Sequence, residues 1–278
     1  MERKHFLKLL TFLPIIAEAK GLERLLGKNF TFDNSQTMPV FFIGHGDPNN
    51  AFLDNPFTQS LRRMAASLPQ KPSAILVISA HWQSLDNTFI STKSNYTSSY
   101  YPVQGASGLA GSFLEENPTL QADDQRELDH GAWAILKHLS PNADIPVMEM
   151  SIDLAKPLNE HWKLAQQLNT LRNKGVLIIG SGNIVHNLEL STLHMFSQKP
   201  YGWALEFDEW VKKKIDDRDF LSLLLYQQQG KMARKSVPTL DHYLPMLYAL
   251  ALMRKNEPIT HTYEEVFAGI SMRCFRIG

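Results

Sequence analysis

Four histidines stand where the sequence predicts that a buried strand ends or a helix begins: His45, His81, His186 and His242. A single histidine at such a point is typically a hydrogen-bonded, half-buried side chain, but four on one edge of a sheet favour a functional site. Neutral imidazole is the commonest side-chain metal ligand, and cysteine-free sites rich in histidine suit zinc or non-haem Fe(II). The four residues form no local motif such as His-Glu-x-x-His, so only the fold can bring them together.

The elements that would position these histidines are predicted from apolar runs. Runs at 39–43, 74–80 and 176–179 are each closed by a glycine or a histidine, which is typical of strands buried on both faces. A helical period from Asn55 to Leu68 joins the first two runs into a βαβ unit with parallel strands. Because parallel strands end at one edge of a sheet, where ligands bind in open α/β proteins, we expect His45 and His81 to be neighbours.

Three further segments bear on the site. A helix predicted over residues 124–139 carries His130 in its first half, and residues 144–150 are predicted to form another strand. Residues 83–120 are irregular and include three tyrosines among serine, threonine, asparagine and glycine. A loop of this length inside a compact domain is usually functional or disordered, and we expect it to form a wall of the pocket.

Composition bounds the class of protein. Lysine plus arginine equals aspartate plus glutamate at 28 each, so the chain lacks the electrostatic footprint of a nucleic-acid binder. Cys274 is the single cysteine, which rules out an intramolecular disulfide and a thiolate-rich metal site. With 278 residues, 44% of them hydrophobic, the chain can bury one large core. We predict a single α/β domain with a central, mostly parallel or mixed sheet flanked by helices.

Residues 1–37 differ from the rest of the chain. Arg3, Lys4 and Lys8 precede a short apolar run, so this extension is predicted to be a degenerate secretory signal or an amphipathic helix. The run is too short to span a bilayer, and no other stretch is long and apolar enough to do so. We expect a cytoplasmic protein, or a periplasmic one if the segment is an export signal, with residues 38–278 as the functional domain.

Six segments follow one another in an order shared with a known family. They are His-Gly-Asp-Pro at 45–48 with Asp-Asn-Pro-Phe at 54–57, Ser-Ala-His-Trp at 79–82, Leu-Asp-His-Gly-Ala-Trp at 128–133, Ala-Asp-Ile-Pro-Val at 143–147, Gly-Ser-Gly-Asn-Ile-Val-His-Asn at 180–187 and His-Tyr-Leu-Pro at 242–245. On these segments, residues 39–278 resemble the class III extradiol ring-cleavage dioxygenases of the LigB type. Within that group the chain looks most like the bacterial 4,5-DOPA extradiol dioxygenases.

The resemblance implies a LigB-like fold, of the phosphorylase/hydrolase-like kind, and one divalent metal ion per chain, Zn2+ or Fe2+. It implies that His45, His81 and His242 hold the metal, while His186 completes the site or acts as a base. His130 is then a candidate second acid or hydrogen-bond partner of the substrate. A small aromatic diol such as L-DOPA would be opened by O2, and an ordinary histidine pKa of about 6.5 suits removal of a phenolic proton. We expect a monomer or small homo-oligomer that binds no nucleic acid.

Two features depart from the family pattern. Asp47 stands where the family usually has serine, and its carboxylate could reach the metal or cap the following turn; the cap is the preferred interpretation. The aromatic substrate loop of the family, which carries Gly-Phe-Pro, is not recognisable between Thr92 and Gly111. The motifs therefore predict the chemistry, while the substrate loop does not point to a particular catechol.

Two rival functions use the same residues. A zinc-dependent hydrolase would activate water at the histidine site. A non-catalytic binding protein of the Memo type would share the scaffold, although the intact set of His45, His81 and His242 argues against that interpretation. The identity of the bound metal and its ligands would separate these possibilities.

Overall fold

The computed structural model describes residues 37–192 and 199–278. The predictions for residues 1–36, an export signal or an amphipathic helix, lie outside the described residues. No helix in the described part of the chain has both the length and the apolar character needed to cross a membrane.

Strands and helices alternate along most of these residues. The strands are β1 (Val40–Gly44), β2 (Ala74–Ser84), β3 (Thr88–Ser91), β4 (Asn95–Tyr96), β5 (Val103–Gln104), β6 (Leu120–Asp123), β7 (Val147–Asp153), β8 (Val176–Gly182), β9 (Ile259–Tyr263), β10 (Val266–Phe267), β11 (Ile270–Ser271) and β12 (Cys274–Ile277). The α-helices are α1 (Pro56–Ala66), α2 (Ser107–Glu116), α3 (His130–Leu139), α4 (Leu158–Gln167), α5 (Asn169–Asn173), α6 (Leu188–Thr192), α7 (Gly202–Asp216), α8 (Phe220–Leu224), α9 (Lys231–Ser236) and α10 (Leu244–Ala251). Short 3-10 turns span Pro48–Phe52 and Tyr226–Gln229.

The main sheet has eight strands in the order β6-β3-β7-β2-β8-β1-β12-β9. Its centre is parallel, because β7, β2, β8 and β1 pair in the same direction. The edges introduce antiparallel pairs, β3 with β7 on one side and β1 with β12 and β12 with β9 on the other. The predicted single α/β domain with a mixed sheet is confirmed. β1 and β2 are parallel as expected, but β8 lies between them.

Both faces of the central strands are covered, which explains their continuous apolar sequences. In β1, Val40 and Phe42 pack into one hydrophobic core, while Phe41 and Ile43 pack into the core on the opposite face. All four side chains are fully buried. Because both faces of β1 are buried, the first polar side chain after the strand, that of His45, lies at the carboxyl-terminal edge of the sheet.

Helix α3 begins later than the sequence predicted. Its first residue is His130, and the side chain of Asp129 caps the helix by accepting a hydrogen bond from the backbone N–H of Ala132 at 3.1 Å. The preceding residues form a loop in which Asp123 accepts hydrogen bonds from the N–H groups of Gln125 and Arg126. The predicted start at residue 124 is therefore wrong. The helix begins at His130, which is its first residue.

The segment 83–120 is more regular than predicted. It contains β3, β4, β5 and α2, and β3 extends the main sheet between β6 and β7. Strand β2 also runs further than its apolar pattern indicated, through His81 to Ser84, with a register shift between Ile78 and Gln83. Such irregularities re-aim side chains and occur often beside functional sites.

Candidate metal centre

A cavity of about 380 Å³ opens at the carboxyl-terminal edge of the parallel strands. Its lining combines histidines with small and apolar side chains. The lining residues are His45, Gly46, Asp47, Pro48, His81, His130, Asn183, His186, Leu188, Ser191, Thr192, Phe267, Ala268 and Ile270. The volume lies in the range of small-molecule sites, and the position is the one where open α/β sheets bind ligands.

The pocket wall predicted from residues 83–120 is wrong, because none of them lines this cavity. They build the far edge of the sheet around β3 and β6 instead. The walls come from residues 183–192, which follow β8, and from residues 267–270, which connect the short strands β10 and β11. This placement depends on long-range packing that no local pattern encodes.

Each of the four predicted histidines is held by a different element. His45 directly follows β1, and His81 lies in the irregular part of β2. His186 lies beyond the end of β8 and is fixed by an isolated bridge to Ile270. His242 sits in the turn that precedes α10 and is 5% exposed. The sheet thus brings together residues that are far apart in the sequence.

Three of these histidines form a close group. The possible ligand atoms of His45, His81 and His242 all lie within 4.8 Å of one another. The Nε2 atoms of His45 and His81 are 3.0 Å apart. Two imidazole nitrogens bound to one ion through bonds of about 2.0–2.1 Å are separated by roughly that distance. The geometry therefore suits a shared cation.

Hydrogen bonds fix the orientation of His45. The hydroxyl of Ser181 donates its one hydrogen to the backbone carbonyl of Gly131 at 2.6 Å. The Ser181 oxygen can then only accept from Nδ1–H of His45, which is 3.0 Å away. Nε2 of His45 is left without a proton and faces His81, as a metal ligand requires.

His242 is oriented by its neighbour Asp241. Nδ1 of His242 donates a short hydrogen bond to the Asp241 carboxylate. Nε2 of the same ring is buried and has no hydrogen-bond partner among the described residues. A carboxylate that holds the outer nitrogen of a histidine is the usual support of a metal-ligating imidazole. An orphaned, buried nitrogen beside two other histidines is the observation that best fits a bound divalent ion.

The electrostatics keep the rings of His45 and His81 neutral. Burial and the neighbouring imidazoles lower the pKa of His45 well below its ordinary value and lower the pKa of His81 to about 4. Burial opposes ionisation of Asp241, but its hydrogen bonds with His242 and Thr239 outweigh this and lower its pKa to about 2. The site therefore offers unprotonated nitrogens and one nearby negative charge, which is the donor set that a divalent cation needs.

His186 lies beside this group rather than within it. Its ring stacks on that of His242, with centroids 3.4 Å apart and planes inclined by 8°. Its possible ligand atom lies within 4.8 Å of those of Asp241 and His242 but does not belong to the group formed with His45 and His81. Burial and the proximity of His242 lower its pKa to about 3.

His130 packs against His81 of the histidine group. Its ring centroid is 3.8 Å from that of His81 and 6.1 Å from that of His45. Burial and His242 lower the pKa of His130, against the opposing charges of Asp129 and Asp47. The predicted site residues thus all lie at one place in the fold, although their individual roles stay predictions.

Two glycines permit the close packing of the site. A side chain on Gly182 would bring its Cβ within 2.3 Å of the backbone oxygen of His242, and one on Gly131 would lie 3.0 Å from the His81 ring. Gly182 and Asn183 also take part in the backbone hydrogen bonds that tie this corner together, to His45 and His242 respectively. Glycine at these positions lets β8 and α3 approach the histidine-bearing segments.

Sequence reasoning missed a buried carboxyl group behind the site. Glu149 on β7 is 1% exposed, and neither of its oxygens has a hydrogen-bond donor among the described residues. Burial and the neighbouring Asp129 carboxylate raise its pKa well above the ordinary value. When Glu149 carries a proton, it can donate a hydrogen bond to Asp129 instead of repelling it. The ionised Asp129 also accepts a hydrogen bond from the hydroxyl of Ser79 at 2.8 Å and caps α3. The sequence feature that could have revealed this group is an acidic residue within a predicted buried strand.

The preferred interpretation of Asp47 agrees with the structure. Its Oδ1 accepts a hydrogen bond from the backbone N–H of Asn49 at 2.7 Å and caps the 3-10 turn Pro48–Phe52. Asp47 belongs to neither group of mutually close ligand atoms in the described part of the chain. It lines the cavity without joining the histidine group.

A mixed α/β sheet with three closely grouped histidines at its carboxyl-terminal edge defines a protein with a candidate metal centre. Residues 39–271 match the family model described as the catalytic LigB subunit of aromatic ring-opening dioxygenase. The chain belongs to this family, whose members are metal-dependent, as its sequence motifs predicted.

Among the matches are two relatives and a solved structure that are similar to the chain over most of its length. The 4,5-DOPA dioxygenase extradiol of Escherichia coli (strain K12) is 34% identical over 266 residues, which cover 88% of this chain and 96% of the relative. The protein of the same name from Beta vulgaris is 31% identical over 78% of this chain and 87% of its own. The crystal structure of an uncharacterized protein from Escherichia coli K12 matches with a TM-score of 0.78 and 36% identity, covering 87% of this chain and 100% of the other.

Proposed function

We propose that the protein opens the ring of a small catechol with O2 in the extradiol manner, between a hydroxyl-bearing carbon and its unsubstituted neighbour. The observation that carries the proposal is the buried, unpartnered Nε2 of His242 beside the close pair of His45 and His81. The names of the relatives from Escherichia coli and Beta vulgaris support L-DOPA as one substrate to test. Both oxygen atoms of O2 enter the product, so a catechol and O2 yield a muconate semialdehyde with no other co-reactant.

One divalent ion would be held by His45, His81 and His242, which leave the cavity side open to a ligand. Bound Fe(II) would supply the redox chemistry that O2 activation requires, which Zn2+ lacks. Asp241 keeps Nδ1 of His242 protonated, and Ser181 does the same for His45. These hydrogen bonds hold two of the three rings in the tautomer that binds a cation through Nε2.

His186 is proposed as the base that takes a proton from a hydroxyl of the diol. It lines the cavity and lies outside the group of three histidines, so its imidazole can face the substrate. Its lowered pKa keeps it neutral and able to accept a proton. Negative charge that develops on the diol favours the protonated ring and so opposes this depression.

His130 is proposed to donate a hydrogen bond to the substrate or to return a proton to it. It lines the same cavity from the first turn of α3, beside His81. Leu188, Phe267 and Ile270 supply apolar walls that would pack on an aromatic ring and exclude water.

A cytoplasmic location and a monomeric or small homo-oligomeric state remain predictions.

The test is to load the protein with Fe(II) without oxygen and then to admit air with L-DOPA, dopamine and 4-propylcatechol. A yellow ring-opened product is expected, and His242→Ala should abolish it together with metal retention. If the protein opens no catechol, the proposal is wrong. Hydrolysis of esters or amides by the zinc-loaded protein would then favour the hydrolase, and failure to retain any metal would favour the Memo-like binding protein.

A further inference from the structure

The cavity contains a charge that the proposed reaction does not use. Among the described lining residues, Asp47 is the one ionisable side chain apart from the histidines, and none of them is a lysine or an arginine. Asp47 forms no ion pair within the described residues. A ligand in this cavity would meet a carboxylate that no basic side chain of the lining neutralises.

That carboxylate is exposed and is held by one hydrogen bond. Oδ1 accepts from the N–H of Asn49 at 2.7 Å, and a carboxylate has more acceptor sites than this single bond uses. Capping a turn does not require a charge, since serine and asparagine cap equally well. Asp47 is also outside both groups of possible metal ligands. Neither the cap nor the candidate metal centre therefore requires a negative charge at this point.

The rest of the cavity limits what could pair with it. Leu188, Phe267 and Ile270 are apolar, and the volume of about 380 Å³ suits a ligand with one aromatic ring. A ring placed with its hydroxyls toward His45 and His81 would carry its side chain elsewhere in the same cavity, where Asp47 is the one charged partner apart from histidines. A cationic side chain would find an oppositely charged partner there, whereas a carboxylate would find a like charge and only the uncharged donors of Asn183, Ser191 and Thr192 among the described residues.

We propose that Asp47 determines substrate choice by pairing with a protonated amine, so that the site prefers catechols with an aminoalkyl side chain and no carboxylate. This inference rests on the proposed ring-opening function, because it assumes that the diol binds at the histidine group. It goes beyond that function by selecting a cationic diol over a zwitterionic, neutral or anionic one.

The experiment compares four catechols that differ mainly in charge: dopamine, L-DOPA, 4-propylcatechol and 3-(3,4-dihydroxyphenyl)propionate. Dissociation constants are measured by calorimetry with zinc-loaded protein, which cannot turn the diol over, and kcat/KM is measured with the Fe(II)-loaded protein. Dopamine should bind about fivefold more tightly than its neutral isostere 4-propylcatechol, the scale of an accessible ion pair, and the propionate should bind least tightly. The preference should weaken as ionic strength rises.

Variants separate the charge from the cap. In Asp47→Asn and Asp47→Ser the cap can persist without the charge, and the ratio of dopamine to 4-propylcatechol binding should fall toward one. Asp54→Asn removes a carboxylate that is 68% exposed, pairs with Arg62 and lies outside the cavity, and it should keep the wild-type ratio. An unchanged ratio in the Asp47 variants, or tightest binding of the propionate, would overturn the inference.

The outcomes also distinguish the inference from the proposed function. Selective binding of dopamine without ring opening would leave the inference standing and defeat the function. Ring opening of all four catechols without selectivity would do the reverse. If no catechol binds, both are wrong.

Discussion

Asp241 accepts a hydrogen bond from Nδ1 of His242, while Nε2 of the same ring lies buried without a partner among the described residues. The first contact sets the tautomer, and the second leaves a lone pair that water does not reach. A cation held by His45, His81 and His242 would satisfy this nitrogen. Asp241 is therefore a positioning residue that acts through His242.

Asp241→Asn should weaken metal binding, because an amide can present a donor to Nδ1 and so favour the wrong tautomer of His242. Loss of such a supporting carboxylate typically lowers metal affinity by about 10- to 100-fold. Competition between the protein and a chelating dye for Zn2+ measures the effect. Asp54→Asn serves as the control and should bind like the wild type; equal affinities in both variants would contradict the assigned role of Asp241.

His186→Ala should retain the metal but lower the rate of ring opening by about 10²- to 10⁴-fold, the usual contribution of a general base. The reason is that His186 stacks on His242 without joining the group of three histidines. Metal content after dialysis and kcat with dopamine are the two measurements. His242→Ala provides the contrast, since it should lose the metal; a His186 variant that also loses it would make His186 a ligand.

Gly182→Ala should destabilise the fold, because its Cβ would lie 2.3 Å from the backbone oxygen of His242. Overpacking of this kind costs about 1–3 kcal/mol, and metal retention should fall with it. Gly108→Ala, on helix α2 with open space around the position, is the matched control. It should leave the free energy of unfolding unchanged or raise it by up to about 1 kcal/mol. Denaturant unfolding of the two variants decides the point.

Glu149→Gln should stabilise the protein at alkaline pH more than at acidic pH. Folding raises the pKa of Glu149 above its ordinary 4.5, so near neutral pH the folded protein binds a proton that the unfolded chain has released. Wild-type stability from this group is therefore greatest below that ordinary pKa and falls as pH rises toward the folded value. Glutamine has no proton to take up and can donate its amide to Asp129 permanently.

Thermal unfolding of wild type and Glu149→Gln across a range of pH tests that prediction. The Tm of Glu149→Gln minus the Tm of the wild type should be small or negative near about pH 5 and should become positive by about pH 8. A difference that does not change with pH would mean that Glu149 does not bind a proton on folding.

The sequence predicted those parts of the molecule that follow from local pattern. Strands buried on both faces have continuous apolar sequences. The first polar side chain after such a run therefore lies at the edge of the sheet, as His45 does. The insertion of β8 between β1 and β2 could not be predicted, because strand order depends on how the whole chain packs. Ser181 and Glu149 likewise acquire their roles only through contacts across the fold, with His45 and with Asp129.

The cavity walls were beyond prediction for the same reason. Residues 83–120 have the composition of a loop, yet β3 and α2 form there because the sheet and its cover supply hydrogen bonds and apolar contacts that the local sequence does not specify. The start of α3 at His130 was set by one side chain, the Asp129 cap, and the pattern of apolar residues alone did not locate it.

The three proposed ligands also have a consequence for biosynthesis. His45 and His81 are separated from His242 by more than half of the chain, and the turn that carries His242 is tied to the end of β8 by the hydrogen bond from the Asn183 N–H to the His242 carbonyl. A nascent chain that has emerged only as far as β8 therefore carries two of the three proposed ligands. Binding of one ion by all three proposed ligands would therefore have to follow translation of the segment that carries His242.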